Sequence, residues 1–412
     1  VEQKLQIPCP IRPIRVKVLP LEGVKVVDLT RVLSGPYCTM ILADFGAEVI
    51  KVEMPGTGDD SRAYGPYVNG ESAYYMSINR NKKSITVNTK DPNGVELVKE
   101  LIKKADVVVE NFKPGTMEKL GMGYEDLKKI NPEIIYTCVS GFGHSGPFSK
   151  RPAYDAIVQA MGGIMSITGP GDGQYTRVGA SVGDITAGLF AAVGTITALY
   201  HKNKTGKGQK VDVAMLDCQV AILENAIARY LVNGVIPQPK GNRHASITPF
   251  EDFLCKDNIK VMVAIGNNGL WKKFLTVAGR EELVDDERFN TNPLRTQNYE
   301  ELKPIMDEIF MTKTSDEWYE QLVAANVPVT YVNTVDKVIS NEQVVAREMI
   351  VEANHPKVGP FKMADTPIKM SETKGGFRTP APVLGENTDE ILRDYLGYSE
   401  EQIAEVKAKN IL

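Results

Sequence analysis

From Leu21 onward, short β-branched runs alternate with amphipathic stretches. VKVVDL (24–29), EVIKV (48–52), SITV (84–87), DVVVE (106–110), IIYTCV (134–139) and VDVA (211–214) each read as a strand. Between them the apolar spacing changes to that of helices. One is predicted over 36–45, with Gly46 as its stop. Another opens at Asp91-Pro92 and runs to Ala105, with Val95, Val98, Leu101, Ile102 and Ala105 on one face. A third covers 124–130. Strands alternating with helices predict a mostly parallel sheet covered on both faces, a Rossmann-like α/β domain.

The rest of the chain is less regular. A Gly-rich loop (162–173) precedes an apolar helix over 185–200, then come a charged turn (201–210) and a helix over 216–232. The apolar run is shorter than the roughly 20 residues a bilayer demands, so a buried core helix and no membrane are expected. A break at 233–248 (NGVIPQPKGNRHASIT) leads to charged helices at 270–277, 299–310 and 315–325. Trp271, in GNNGLW, reads as core. The expected plan is an N-terminal arm (1–20), the first part of a large domain (21–232), a linker with a smaller α+β domain (233–330), and a return to the large domain (331–412) with a helical tail around 400–409.

Composition narrows the classes. At 412 residues, two domains are the default expectation, and 42% hydrophobic with 24% charged residues is ordinary for a soluble enzyme. A net charge of −4 argues against non-specific nucleic-acid binding. Five dispersed cysteines form no CxxC pair, and the four histidines form no HExxH. Neither a metal site nor a disulfide framework is expected, and a cytoplasmic location fits the reducing pattern. No apolar signal core is seen near residue 1.

Three short motifs carry candidate chemistry. RVGASVGDITAGLFAAVGTITALY (177–200) sets Asp184 among small residues at the mouth of the apolar helix. An Asp there is either a helix N-cap or a nucleophile or general base. GFGHSG (141–146) satisfies a dinucleotide pattern, but Pro147 and Pro152 follow where a helix should open, which favours a tight turn. GASVG (179–183) satisfies the nucleophile-elbow pattern, with Ser181 as nucleophile and His201, His244 or His355 as base, although the flank at 174–178 is a weak strand. Lys82, Lys83, Lys90, Lys113 and Lys119 cluster around strand ends. They are either solvated faces or the holders of a phosphate-rich ligand.

Taken together, LEGVKVVDLTRVLSGPYCTMILADFGAEVIKVE (21–53), NRNKKSITVN (79–88), ADVVVENFKPGTMEKLG (105–121), SGFGHSGP (140–147), YDAIVQAMGG (154–163), VGDITAG (182–188), TGKGQKVDVAM (205–215) and PVLGENTDEIL (382–392) resemble the class III CoA-transferases, the CaiB/BaiF family. The resemblance covers nearly everything from Leu21. It implies a transferase of the EC 2.8.3 type that moves CoA from an acyl-CoA to a carboxylic acid, with Asp184 as nucleophile. CoA contacts are implied for Leu33, Ser34, Val87, Lys90, Asn111, Phe112, Lys113, Lys119, Arg151 and Tyr154. CoA is then a substrate. No tightly bound cofactor, metal or ATP is implied, and the subunits are expected to interlock as a homodimer, or with a related subunit.

Departures refine the expectation. Met54 stands where formyl-CoA transferase has an Arg, Leu33 where it has a Gln for oxalate-type acids, and its Gly-rich loop has no counterpart near Cys255. A larger or more apolar acid suits Leu33. Tyr154 occupies the place of a His in the family's racemase branch, which favours transfer over the alternative of acyl-CoA racemisation. A serine hydrolase built on GASVG is the remaining alternative.

Overall fold

The computed structural model describes residues 18–409 and 411–412. Most of the arm expected over 1–20 lies outside them, as does Cys9. The six β-branched runs form β1 (Lys25–Asp28), β2 (Glu48–Glu53), β3 (Lys82–Thr86), β4 (Val107–Glu110), β5 (Ile135–Ser140) and β6 (Lys210–Ala214). They assemble in the order β3-β2-β1-β4-β5-β6, and every neighbouring pair is parallel. This is the doubly wound order, with its reversal point between β1 and β4. Val27 pairs with Ile50 on one side and Val108 on the other, and all three are fully buried. Apolar side chains on both faces of the inner strands suit a sheet covered on both faces.

The crossover helices follow from local chemistry. α1 (Ser34–Asp44) leaves β1, and α2 (Pro92–Lys103) leaves β3. Asp91 caps α2 by accepting from the Asn93 N–H, Pro92 occupies the first turn, and Val95, Val98, Leu101 and Ile102 are buried.

The apolar run extends further than its composition predicts. α3 spans Val182–Thr205, 24 residues, long and apolar enough by length and composition to cross a bilayer. One face nevertheless belongs to the sheet: Ala187, Gly188, Ala191, Ala192, Thr195 and Ala198 are buried, and the Thr195 and Thr137 hydroxyls meet at 2.7 Å. Small residues permit the approach. A Cβ on Gly188 would lie 2.7 Å from the Ser34 carbonyl oxygen and 2.9 Å from Tyr37 Cβ. The helix expected over 216–232 is two, α4 (Met215–Ile222) and α5 (Glu224–Asn233), because Leu223 (φ −87°, ψ 24°) leaves helical geometry.

The chain divides into two compact units. The first holds the described residues to Tyr154, Gly183–Cys218 and Glu348–Leu412; the second holds Asp155–Val182 and Gln219–Arg347. These boundaries differ from the expected 233–330, since 155–182, 219–232 and 331–347 also join the second unit. The side-chain contacts give the reason. Gln159 accepts from the Val178 N–H (2.8 Å), and the bare Cα of Gly162 lets Gln219 approach so closely that a Cβ would sit 2.4 Å from its Cβ.

In the second unit, β7 (Phe250–Leu254), β8 (Lys260–Ala264) and β9 (Val329–Tyr331) form an antiparallel sheet in the order β9-β8-β7. α6 (Asn268–Ala278), α7 (Tyr299–Phe310) and α8 (Ser315–Ala324) supply an aromatic core. Phe253 stacks on Phe310 at 4.6 Å, and Trp318 donates to the Phe310 carbonyl. Trp271 is buried there too. The first unit adds a hairpin, β10 (Ile350–His355) with β11 (Gly359–Ala364), and a C-terminal helix at Glu400–Ala408.

Gly188→Val forces a branched side chain against Ser34 and Tyr37. Urea unfolding is expected to show a loss of about 1–3 kcal/mol; unchanged stability would mean that α3 does not sit this close.

Candidate active site

Two cavities open at the carboxyl ends of the parallel strands, within the first unit. One, of about 260 Å³, is lined by Leu33, Ser34, Asn111, Phe112, Lys113, Arg151, Tyr154 and Asp184 among others. The second, of about 250 Å³, is lined by Met54, Val87, Lys90 and Phe112 among others. Arg31 and Phe112 line both, and the Arg31 guanidinium lies 5.5 Å from the Phe112 ring centroid. Of the residues expected at the site, Lys119 alone lines neither cavity. It is exposed at the end of the short helix Thr116–Lys119, whose buried residue is Met117.

Asp184 is not the N-cap. It lies within the first turn of α3, is partly exposed, and lines the first cavity. The positive end of the helix favours its ionised form. Tyr154 is 77% exposed, at the rim of that cavity.

The loop between β1 and α1 has an unusual backbone. Val32 adopts φ +66° although it is β-branched, which costs energy unless neighbouring groups impose it. Asp59 imposes it. One carboxylate oxygen accepts from the Val32 N–H at 3.0 Å, and the other pairs with the Lys51 ammonium at 2.8 Å. Lys51 also donates to the Thr30 carbonyl at 2.8 Å, and both ionic side chains are fully buried. Burial alone would raise the Asp59 pKa, but Lys51 beside it holds the carboxyl well below the usual range. From the other side, Asn111 accepts from the Arg31 N–H and donates to the Arg31 carbonyl, at 2.8 and 2.7 Å.

Two of the basic residues turn out to be scaffold. Lys82 is buried and pairs with Asp28 at 3.0 Å; burial pushes its pKa down to about 8 against the pull of Asp28. Lys83 pairs with Glu48 and Glu390. Neither lines either of the two cavities above, because in a parallel sheet the first residues of β3 lie at the end opposite the ligand loops.

Glu110 closes β4 and was not singled out from sequence. One oxygen accepts from the Phe112 N–H at 2.7 Å and the other from the Tyr136 hydroxyl at 3.1 Å. Burial pushes its carboxyl up to about 7. Glu110, Cys138 and His144 bring ligand-type atoms within 4.8 Å of one another. Burial keeps the Cys138 thiol protonated, and the Lys210 ammonium sits 3.1 Å from His144 Nδ1. This chemistry suits a hydrogen-bonded core rather than a cation.

The misleading motifs are resolved by local structure. No strand precedes GASVG, so the elbow geometry is missing. Ser181 and His201 stand at opposite ends of α3, about 30 Å apart at the helical rise. GFGHSG is a turn with Gly143 and Gly146 at positive φ, and no helix opens directly after it.

The sequence profile described as CoA-transferase family III matches residues 21–388. The chain belongs to this family. The succinyl-CoA:glutarate CoA-transferase of Mus musculus is 43% identical over 394 residues, 95% of this chain and 90% of that one. The acetyl-CoA:oxalate CoA-transferase of Acetobacter aceti is 41% identical over 91% of this chain and 96% of its own. A CaiB/BaiF family protein from Brucella suis has a solved structure with TM-score 0.82 and 39% identity, covering 92% of this chain and 99% of that one. As a family III CoA-transferase, the chain is an enzyme of CoA transfer.

Lys51→Met leaves Asp59 buried without its cation. A loss of about 3–5 kcal/mol is expected on urea unfolding, with part recovered in Lys51→Met/Asp59→Asn; no recovery would refute the pairing. For Glu110, the folded pKa of about 7 lies above the ordinary 4.5. The native state therefore binds the extra proton, and the stabilisation is complete below pH 4.5 and lost as pH rises through 7. Glu110→Gln should flatten the stability profile between those limits, read by thermal unfolding across pH.

Proposed function

We propose that this CoA-transferase exchanges CoA between a CoA thioester and a free dicarboxylic acid through covalent intermediates on Asp184. The observation that carries the reading is the Asp184 carboxylate on the first turn of α3, sharing one cavity with Lys113, Arg151 and Tyr154. The second cavity extends the site past Arg31 and Phe112 to Lys90, which suits an elongated ligand bearing phosphates at one end and a thioester at the other. The names of the relatives, succinyl-CoA:glutarate CoA-transferase above all, support dicarboxylates as donor and acceptor.

In the proposed sequence, an Asp184 oxygen attacks the thioester carbonyl. The C–S bond breaks, CoA leaves as thiolate, and a mixed anhydride remains. The thiolate then attacks the Asp184 carbonyl carbon, the anhydride C–O bond breaks, and the donor acid departs as carboxylate. The resulting aspartyl-CoA thioester is attacked by the acceptor carboxylate, and the steps reverse. Each step exchanges one acyl bond for another, so neither metal, ATP nor a resident cofactor is required. Rate comes from positioning, to which binding energy from the nucleotide end contributes.

A second copy of the chain is the partner we assign to α3. Leu189, Val193, Ile196 and Tyr200 recur at helical spacing and remain 39–62% exposed, an apolar stripe that association would cover. Cys38, Cys138, Cys218 and Cys255 are free thiols, in keeping with a cytoplasmic setting.

Asp184→Ala should lower CoA exchange by about a thousandfold or more, while Ser181→Ala leaves it within a few-fold. Hydroxylamine trapping with peptide mass mapping should find the modification on Asp184 in the wild type. Exchange that continues with an unmodified Asp184 refutes the mechanism, and fluorophosphonate labelling of Ser181 would favour the hydrolase.

A further inference from the structure

The second unit carries three cations to which no role has been given: Arg229 on α5, and Lys240 and Arg243 on the loop that follows. Among the described residues none of the three forms an ion pair with a carboxylate. The Nε atoms of both Arg229 and Arg243 are buried and lack hydrogen-bond partners. A buried donor left unmade costs about 1–3 kcal/mol, so two such donors beside a third cation point to an anion as their partner. The Lys240 ammonium is held below its usual range by partial burial, then by Arg243 and Arg229, so the three charges lie close enough to repel.

The cluster is held in place. The Arg243 guanidinium stacks 3.3 Å from the Tyr299 ring centroid and donates to the Thr296 carbonyl at 3.4 Å. Tyr299 in turn donates to Glu251 at 2.9 Å, which ties the ring under Arg243 to β7. Stacking leaves the in-plane N–H groups of a guanidinium free to meet an oxyanion edge-on. Beside Lys240, the Gly241 N–H donates to the Gly169 carbonyl at 2.8 Å. Gly169 sits at φ +151°, with the Gln174 carbonyl oxygen 2.1 Å from where a Cβ would be. Backbone packed this tightly fixes the loop.

We infer that Arg229, Lys240 and Arg243 form a binding site for a small dianionic oxyanion, namely a dicarboxylate. Inorganic phosphate carries a similar charge, but on one tetrahedral centre rather than on two separated planar carboxylates. Ala226, Ile227 and Tyr230, neighbours of Arg229 on α5, line an apolar cavity of about 300 Å³; the choice of a dicarboxylate over a bare phosphate rests on the substrates proposed above. Binding is read without turnover, so this inference and the Asp184 chemistry fail separately.

The test is calorimetry on the full chain with glutarate, inorganic phosphate and acetate, in the wild type and in an Asp184→Asn background. Glutarate should bind in both, with acetate and phosphate at least about tenfold weaker. Arg229→Gln and Arg243→Gln should each weaken glutarate binding about tenfold or more, Arg243→Lys should restore part of it, and Lys103→Gln, a solvated lysine, should change nothing. Circular dichroism melts confirm that each variant is folded, and a variant that does not fold is replaced by the corresponding Arg→Lys form. Glutarate affinity unchanged in the Arg229 and Arg243 variants overturns the site. Phosphate binding tighter than glutarate overturns its assignment to a dicarboxylate.

Discussion

The buried ion pair between Lys51 and Asp59 is the constraint from which the rest of the site follows. Two charges are taken wholly out of water, and their attraction alone would do little more than offset that cost. What the pair provides is position. Lys51 projects from β2 and reaches the Thr30 carbonyl as well as Asp59, while Asp59 reaches across to the Val32 N–H. A β-branched residue is thereby held in a left-handed backbone conformation between β1 and α1. Any relaxed version of that loop would leave either a buried charge or a buried N–H without its partner. The bend is therefore stable, and Leu33 and Ser34 face the cavity because of it.

The second constraint is the closeness of α3 to the sheet and to α1. A helix with bulky side chains on that face could not bring Asp184 to the edge shared by the loops after β1, β4 and β5. Ala187, Gly188, Ala191 and Thr195 allow the approach and contribute little burial each, which is why the other face of the same helix can remain apolar and exposed. The helix thus performs two tasks with opposite sequence requirements, small residues inward and large apolar residues outward. That division explains why its composition passes for a membrane span while half of it is sheet-packed.

Much of the fold was legible because strand and helix signals are local. β1 to β6 emerge within a residue or two of the β-branched runs, since the inner strands are buried on both faces and admit few polar residues. Asp184 and Lys113 were candidates from the residues themselves, whereas Leu33, Asn111 and Arg151 were legible only through the resemblance, as nothing in the spacing says that four separate segments converge. The misses have a common cause. Lys82 looked like a ligand cation because a sequence does not display Asp28, 54 positions away, as its buried partner. Asp59 and Glu110 were passed over for the same reason, since their importance lies in hydrogen bonds to the backbone of Val32 and Phe112. The break at Leu223 and the interleaving of the two units depend on contacts such as Gln159 with Val178, which local pattern does not carry. A signal for Asp59 did exist: two acids within GTGDDSR, in a Gly-rich turn directly after a strand.

The distinction between paired and unpaired cations then separates scaffold from site. Lys51, Lys82 and Arg62 are buried against Asp59, Asp28 and Glu53, and their charge is consumed in holding loops. Lys90, Lys113 and Arg151 border the cavities with no ion pair to a carboxylate among the described residues, and Arg151 rests on the Phe148 ring instead. All three are exposed, so water solvates them, and an anion entering the cavities would meet cations that no carboxylate has already engaged. In a chain whose net charge is −4, such groups cannot be explained by a general excess of basic residues. They are unpaired because of where they are. The same criterion that assigns Lys82 to the scaffold marks Arg229 and Arg243 as ligand-facing, and it does so in the unit that does not contain Asp184.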